Sequence, residues 1–436
     1  MTTAKPYPLD ALGPDGGYRT RKQEVITDTA GVPVARMSIV PPLFVSRSLA
    51  TQRNTRPLPL TVRGEVLTKA ADIFANSVVA GLSFDDYMEL TRRVSGLPMT
   101  VTRAGALAVA DGLNTALDAI EAARPSGAQL DWRDIAKAGG AVWARRGELL
   151  GVHAPGNAPG VHGLWPQAFA LGYRIAIRAS RREPFTAHRL VHALRQAGAR
   201  PTDVLYLSTD YAGADELIRR ADLSMVYGGQ DIVDKYAGDP TVLTNGPGRT
   251  KILITAEHDW RGHLDMIVDS IAALGGTACV NSSAVLYEGD AAPLAHAIAE
   301  RLATVTELPT MAVDRARTLA RHLAAKAEGT SAVLGADQVV AELGDGRAAL
   351  RPAVHLLTEA DSIKLAIELP FPCVWVAPWS RDDGLTPLCN SLVLTVITDD
   401  DDLVDDLLAE PTVTNVYRGP IPTHHSAPHI PHEGFL

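Results

Sequence analysis

From residue 151 onward the chain alternates short β-type runs with helical segments, and no other feature limits its possible folds as strongly. The runs at 174–177, 204–208, 223–226 and 251–255 are rich in Val, Ile, Leu and Tyr, and amphipathic stretches at 185–196 and 212–220 separate them. Strands spaced by helices of about 10–15 residues imply βαβ crossovers and a parallel sheet. The pattern then recurs, with runs at 284–287, 374–377 and 392–397 and helical periodicity at 291–304 and 312–328. Two successive α/β blocks predict two lobes with a cleft between them.

Upstream the character differs. Residues 64–123 carry apolar residues at helical spacing, as in LTKAADIFANSVVAGL and AGALAVADGLNTALDAIEAA, which predicts about three or four consecutive helices. The first 35 residues are rich in Gly, Pro and charge and are expected to wrap the surface, with short strands such as 24–26. Prolines at 41–42 and 57–59 mark a connection, and AVWARRGELLGVHAP reads as an extended pair of strands. A length of 436 residues predicts two or three domains at roughly 100–200 residues each. With 46% hydrophobic and 21% charged residues, the composition is that of a globular protein. The 50 acidic residues outnumber the 41 basic ones, for a net charge of -9, which argues against a general nucleic-acid binder. Three cysteines are too few for a disulfide framework and leave room for a reactive thiol. The start MTTAKPYPLD has no signal pattern, and no apolar run approaches about 18 residues without a charge, so a cytoplasmic location is expected.

Cys279 is the most informative single residue. It lies in GGTACVNSS, before the run AVLY, and the small residues around it leave room for a substrate. A thiolate is both a good nucleophile and a good leaving group, although a lone cysteine also serves as a small core residue. Asn157 lies within GVHAPGNAPGVHGLWPQAFALG, where a side-chain amide could donate to a developing oxyanion or simply form a turn. His153 and His162 flank it. The run ending at Arg178 is followed by Ser180, Arg181 and Arg182, a set that suits phosphate or ribose at a strand's carboxyl edge, or a solvated basic turn. In MVYGGQDIVDKY, Gly228 and Gly229 open a helix with strand–Gly–helix geometry, but the GxGxxG fingerprint is missing. The histidines His424, His425, His429 and His432 lack finger-like spacing and stand among prolines, so no metal site and an irregular tail are expected. Cys373 and Cys389 lie in or beside apolar runs and read as core or near-core residues, and Asp399–Asp402 as a solvated helix start.

In order and spacing, these elements resemble the aldehyde dehydrogenase superfamily over roughly residues 140–420. The family's Pro–x–Asn loop is matched by Pro155–Gly156–Asn157, and its Lys–Pro–Ser/Ala strand end by Arg178–Ala179–Ser180. Its Phe–Thr–Gly–Ser turn is matched by Tyr227–Gly228–Gly229–Gln230, and its Gly–Gln–x–Cys motif by Gly276–Thr277–Ala278–Cys279. The Glu–x–Phe–Gly–Pro motif that holds the nicotinamide ribose is echoed by Glu368–Leu369–Pro370–Phe371–Pro372. Hydrolytic members carry Glu–Leu–Gly–Gly–Lys, whose Glu activates the deacylating water, whereas this chain has Asn245–Gly246–Pro247–Gly248–Arg249. The lost carboxylate makes the chain look most like the acyl-CoA reductase branch, which includes the fatty-acyl reductases of bacterial luminescence.

The resemblance implies an α/β aldehyde dehydrogenase-like fold with a Rossmann-type cofactor lobe (1–128 and 151–250) and an α/β catalytic lobe (251–414). It further implies an oligomerisation arm (129–150 and 415–436) and a homodimer or homotetramer. The implied activity is NAD(P)H-dependent reduction of an acyl thioester, from acyl-CoA or an acyl-carrier protein, to the aldehyde. In it Cys279 carries the acyl group, and Asn157 and the Cys279 N–H hold the oxyanion. Arg178, Ser180, Arg181, Arg182, Gly228, Gly229 and Glu368 would bind the cofactor, with NADPH favoured over NADH because the arginines suit a 2′-phosphate. The rival is an aldehyde dehydrogenase that oxidises an aldehyde to the acid or acyl-CoA, with Glu257 or Glu368 in place of the lost base.

Overall fold

The structure, a computed structural model, describes residues 5–133, 140–427 and 430. Parts of the expected arm (134–139 and 431–436), with His429 and His432, lie outside the described residues. The chain forms two compact units. The first comprises the chain up to Ser95 together with Thr102–Gly246, and the second comprises Gly96–Val101 together with the chain from Pro247 on.

The first unit is built on a sheet with seven strands: β1 (Ala11–Gly13), β2 (Gly16–Tyr18), β3 (Leu149–His153), β4 (Arg174–Arg178), β5 (Val204–Tyr206), β6 (Leu223–Tyr227) and β7 (Val242–Asn245). Their spatial order is β7-β6-β3-β4-β5-β1-β2. Strands β3 to β7 are parallel, while β1 runs antiparallel to β5 and pairs with β2 as a hairpin. β3, β4 and β5 are buried along almost their whole length, as continuous apolar runs in a parallel sheet must be when helices cover both faces. Phe74, Phe169, Phe185, Leu190 and Tyr206 fill one side of this core. From β3 the chain moves outward through β4 and β5, then returns to place β6 on the other side of β3. That reversal creates a switch point between β3 and β6, and open α/β sheets bind ligands at the carboxyl ends of the strands there.

The helices expected across 64–123 are Leu60–Asn76, Phe84–Ser95, Met99–Asn114 and Ala116–Ala123. Two upstream expectations are corrected. The N-terminal residues do not merely wrap the surface: the strand expected at 24–26 is present as Gln23–Thr27 and joins Pro33–Ser38 and Tyr7–Leu9 in a small sheet, and Leu9, Ala11 and Met37 are fully buried. These strands are short enough that Gly and charged residues around them mask their apolar positions. The proline-marked connection contains a helix, Pro42–Arg53, in which Pro42 occupies the first turn, where a missing N–H costs nothing.

The second unit has its own seven-stranded sheet: β8 (Lys251–Ile254), β9 (Ala284–Tyr287), β10 (Ser331–Leu334), β11 (Ala353–Leu356), β12 (Cys373–Pro378), β13 (Ser391–Ile397) and β14 (Val413–Arg418). The order is β10-β11-β12-β9-β8-β13-β14, and every pairing is parallel except β10 with β11. Helices Ala292–Leu302 and Val313–Lys326 lie where helical periodicity placed them. Asp400 caps the helix Asp401–Ala409 by accepting from Leu403 N, in the acidic run read as a helix start. Residues 413–418 run as the edge strand β14, so the segment from 415 begins within this sheet. A small antiparallel sheet of Thr310–Ala312, Arg347–Leu350 and Val340–Glu342 gave no clear sequence signal. Among the described residues no helix is long and apolar enough to cross a membrane.

Candidate active site

Cys279 sits on a turn that enters β9 at its amino end. Leu274, Gly275 and Gly276 are all left-handed, with φ of 55°, 73° and 64°. A β-carbon on Gly276 would stand 2.5 Å from Pro372 N, so only glycine fits there. Asn281 staples the turn from within: its side-chain oxygen accepts from Ala278 N at 2.9 Å, and its amide donates to Ser270 O (3.2 Å) and Ala273 O (2.7 Å). From the neighbouring strand, Thr250 Oγ1 donates to the Cys279 carbonyl at 2.8 Å. Gly248 packs against that same carbonyl so closely that a β-carbon would overlap its oxygen and lie 2.5 Å from its carbon. The backbone of Cys279 is thus clamped from both sides while its side chain stays half-buried.

Glu368 meets the same loop. Its Oε2 accepts from Gly248 N at 2.7 Å and Arg249 N at 3.1 Å. Burial raises its pKa, and those two N–H bonds only partly offset the rise. Asn245, where hydrolytic members have Glu, is buried at the end of β7 in the first unit. Glu257 Oε1 accepts from Thr255 Oγ1 (2.6 Å), Thr398 Oγ1 (2.9 Å) and Asp399 N (3.1 Å). Burial works against its ionisation, but these hydrogen bonds win and hold its pKa at about 2. Glu257 is therefore a structural anion and a poor base near neutrality. Cys373 is buried in β12, with its thiol pushed up to about 12 by desolvation.

Lys251 was missed. It begins β8 fully buried, and its Nζ donates to Ser391 Oγ (2.7 Å), Cys389 O (2.9 Å) and Arg249 O (3.1 Å). A lysine opening the otherwise apolar run KILI in a central parallel strand was the available signal, because such strands rarely tolerate a charge. Burial first, then the neighbouring Arg249, push its pKa down to about 7. Between about pH 7 and its ordinary 10.5 the unfolded chain therefore holds the extra proton, and stability should rise with pH by at most ~1.4 kcal/mol per pH unit. Lys251→Met should flatten that rise in urea unfolding at pH 7 and pH 9. An unchanged slope would mean that Lys251 keeps its proton.

In the first unit the loops singled out from the sequence leave the carboxyl ends of neighbouring strands. Pro155–Gly156–Asn157 follows β3, Arg178–Ala179–Ser180 closes β4, and Gly228–Gly229 follows β6 across the switch point. Gly156 brings the first two loops together, because a β-carbon there would overlap Ser180 Oγ and lie 2.8 Å from Arg182 Cβ. Asn157 is exposed. The Arg178 guanidinium is largely withdrawn from water, and its buried Nε has no hydrogen-bond partner. Burial and then Arg181 lower its pKa. Arg178 and Arg181 lie 5.9 and 6.0 Å from the ring of Tyr211, which is 76% exposed, and Arg181 also pairs with Glu24 at 2.8 Å. Arg182 is exposed, and its N–H donates to Ser180 Oγ. Tyr211 had no sequence signal beyond following β5. A partnerless guanidinium N–H beside an exposed aromatic ring, at the carboxyl ends of β4 and β5, fits the anionic, ring-bearing half of a dinucleotide. The helix that Gly228 and Gly229 open, Gln230–Tyr236, spans only two turns and buries no residue.

His153 ends β3 with Nε2 3.2 Å from Ala214 O, and burial lowers its pKa to about 4. His162 is fully buried with its pKa likewise at about 4. In the tail, His424 Nε2 lies 3.4 Å from Asp269, and the His425 carbonyl accepts from Tyr417 OH. Among the described residues no group of three or more His, Cys, Asp or Glu is arranged to hold a metal.

No protein-family model matches the chain, and no curated protein sequence does. Solved structures do. The 1-pyrroline-5-carboxylate dehydrogenase of Thermus thermophilus shares 15% identity over 99% of this chain and 88% of its own, with a TM-score of 0.78. Lactaldehyde dehydrogenase from Escherichia coli matches at 15% identity over 97% and 92%, TM-score 0.77. The NADP-dependent glyceraldehyde-3-phosphate dehydrogenase from Bacillus halodurans, solved with NADP, matches at 16% over 96% and 92%, TM-score 0.77. At such low identity the likeness defines the fold: the chain has the mixed α/β fold of the aldehyde dehydrogenases.

Proposed function

We propose that this chain is a nicotinamide-dependent oxidoreductase that reduces an acyl thioester, acyl-CoA or acyl-carrier protein, to the aldehyde through an acyl-enzyme on Cys279. The clamp on Cys279 carries the reading. Gly248, Thr250, Gly276 and Asn281 fix the backbone of one half-buried thiol, which a cysteine used only for packing, such as Cys373, does not require. In this reading the Cys279 thiolate attacks the thioester carbonyl, and the Cys279 N–H and the Asn157 amide stabilise the oxyanion. The carrier thiol then leaves. A bound nicotinamide dinucleotide supplies the hydride. Arg178, Ser180, Arg181 and Arg182 hold its phosphate and ribose groups, with Gly228 and Gly229 lining the approach and Glu368 near the nicotinamide ribose.

Asn245 in place of a water-activating Glu, and a Glu257 left only weakly basic by its hydrogen bonds, support acyl transfer to and from a thiol over hydrolysis. A second reading, oxidation of an aldehyde to the acid or acyl-CoA, draws support from Glu368. Its raised pKa and contact with the Gly248–Arg249 loop suit a proton acceptor. The solved structures of similar fold are also named as dehydrogenases. Anaerobic mixing with NADPH or NADH and a thioester panel, with aldehyde trapped as hydrazone, separates the readings: aldehyde from thioester supports reduction, and cofactor reduction with aldehydes alone supports oxidation. A homodimer or homotetramer belongs to the same proposal.

NADPH preference follows from the arginine cluster. Arg178→Ala should lower the NADPH-to-NADH ratio of kcat/KM by about tenfold, the loss expected when a guanidinium–phosphate contact goes. An unchanged ratio would remove the 2′-phosphate from Arg178.

A further inference from the structure

One residue anchors both the nucleophile turn and the C-terminal segment. After β14 the chain doubles back over the neighbouring strand β13: Gly419 N donates to Val396 O at 2.8 Å, and Thr395 Oγ1 donates to Ile421 O at 2.8 Å. It then meets the last turn of the helix Leu264–Ala272, which leads into the Cys279 turn. There Thr423 N donates to Ser270 Oγ at 3.1 Å, His424 Nε2 lies 3.4 Å from Asp269, and Tyr417 OH donates to His425 O at 3.0 Å. Thr423 and Ser270 are both fully withdrawn from water, so losing their bond would strand a buried N–H.

Ser270 faces both ways. Its hydroxyl donates to Met266 Sδ at 3.5 Å and keeps a lone pair for Thr423 N. Its carbonyl accepts from the Asn281 amide at 3.2 Å and from Ser282 N at 2.9 Å, and Asn281 in turn accepts from Ala278 N. Through Ser270 and Asn281 the tail is thus tied to the N–H of the residue before Cys279. The turn needs such support. Leu274 has a φ of 55°, a region disfavoured for a residue with a β-carbon, and strain of this kind persists only where the surroundings over-determine it. Every group in this relay belongs to the second unit.

We propose that residues 419–425 form a strap that positions Cys279 through Ser270, which makes Ser270 a positioning residue for the nucleophile. The inference rests on the reading of Cys279 as the acyl carrier, and it gives a role to a segment that none of the motifs behind that reading includes. Arg178, Arg181 and Arg182, assigned above to the dinucleotide, lie in the first unit and take no part in the relay.

The test changes the relay one contact at a time. Ser270→Ala removes the acceptor for Thr423 N but keeps the carbonyl that holds Asn281 and Ser282. Thr423→Val keeps the N–H and removes a buried hydroxyl that has no partner. Ending the chain after Arg418 removes the strap, and a chain ending after Ala427 keeps every contact named here. Ser270→Ala should speed amide hydrogen exchange of the peptide 277–282 by about tenfold while leaving that of β11 unchanged. It should also lower kcat for the best thioester by about tenfold, with KM for NADPH or NADH unaltered. Thr423→Val and the chain ending after Ala427 should match the parent. The chain ending after Arg418 should reproduce the Ser270→Ala effects, and adding Ser270→Ala to it should lower kcat no further, since both break the same coupling. Parental exchange at 277–282 together with parental kcat in Ser270→Ala overturns the inference. So does exchange that rises equally across the whole chain, or a loss in Thr423→Val or in the Ala427-ended chain as large as that in Ser270→Ala. If the parent turns over no thioester or aldehyde, the reading of Cys279 as acyl carrier fails, and exchange at 277–282 still decides whether the strap holds the turn.

Discussion

Cys279→Ala is expected to abolish turnover, by roughly 10⁴-fold or more, because no other group can form the covalent intermediate. Stability should scarcely change. The side chain is half-buried, and the hydrogen bond that fixes the residue runs from Thr250 to its backbone carbonyl, which alanine keeps. The decisive readout is intact mass after mixing with acyl-CoA without reductant, which should show an acyl adduct on the parent and none on the variant. An adduct that persists in Cys279→Ala would move the nucleophile to Cys389 and end the proposed mechanism.

Gly248→Ala should produce the largest loss from the smallest chemical change. The added methyl collides with backbone atoms of Cys279, which cannot rotate away as a side chain would. Either the 248–250 loop shifts, breaking the N–H contacts to Glu368 and the Thr250 bond to the Cys279 carbonyl, or the Cys279 turn unwinds. Overpacking against backbone costs about 3 kcal/mol, so a fall in Tm of several degrees is expected together with a kcat loss of at least about a hundredfold. Gly238→Ala, at a position where a β-carbon meets nothing, is the control and should be neutral. A Gly248→Ala protein with parental Tm and kcat would show that the clamp does not position the thiol.

The strands at 174–178, 204–206, 223–227, 251–254, 284–287, 373–378 and 391–397 were legible because each is a nearly unbroken apolar run, and the helices at 185–197, 211–220, 292–302 and 313–326 because each keeps its period. The strands at 242–245, 331–334, 353–356 and 413–418 were not read. What escaped reading was small or context-dependent. Strands of three residues near the N-terminus cannot outweigh the glycines around them, and Pro42 looks the same in a connector as in the first turn of a helix. Of the candidate site, Cys279, Gly156, Asn157 and Arg178 stood out because unusual residue types cluster there. Lys251, Tyr211 and Ser270 did not, since each acquires meaning only from what surrounds it in space: a cage of carbonyl and hydroxyl oxygens, a pair of guanidiniums, or a tail and a turn bound to the same residue. Sequence likewise did not reveal that the helix opened by Gly228–Gly229 ends after two turns.

The pairing of β1 with β5 joins Leu12 to Tyr206. During synthesis the hairpin of β1 and β2 must therefore wait for its partner strand until nearly half of the protein has been made. Contacts so distant in sequence form late and slowly. The N-terminal hairpin covers the edge that β5 would otherwise expose, a stopper against edge-to-edge association that is made long before the strand it protects.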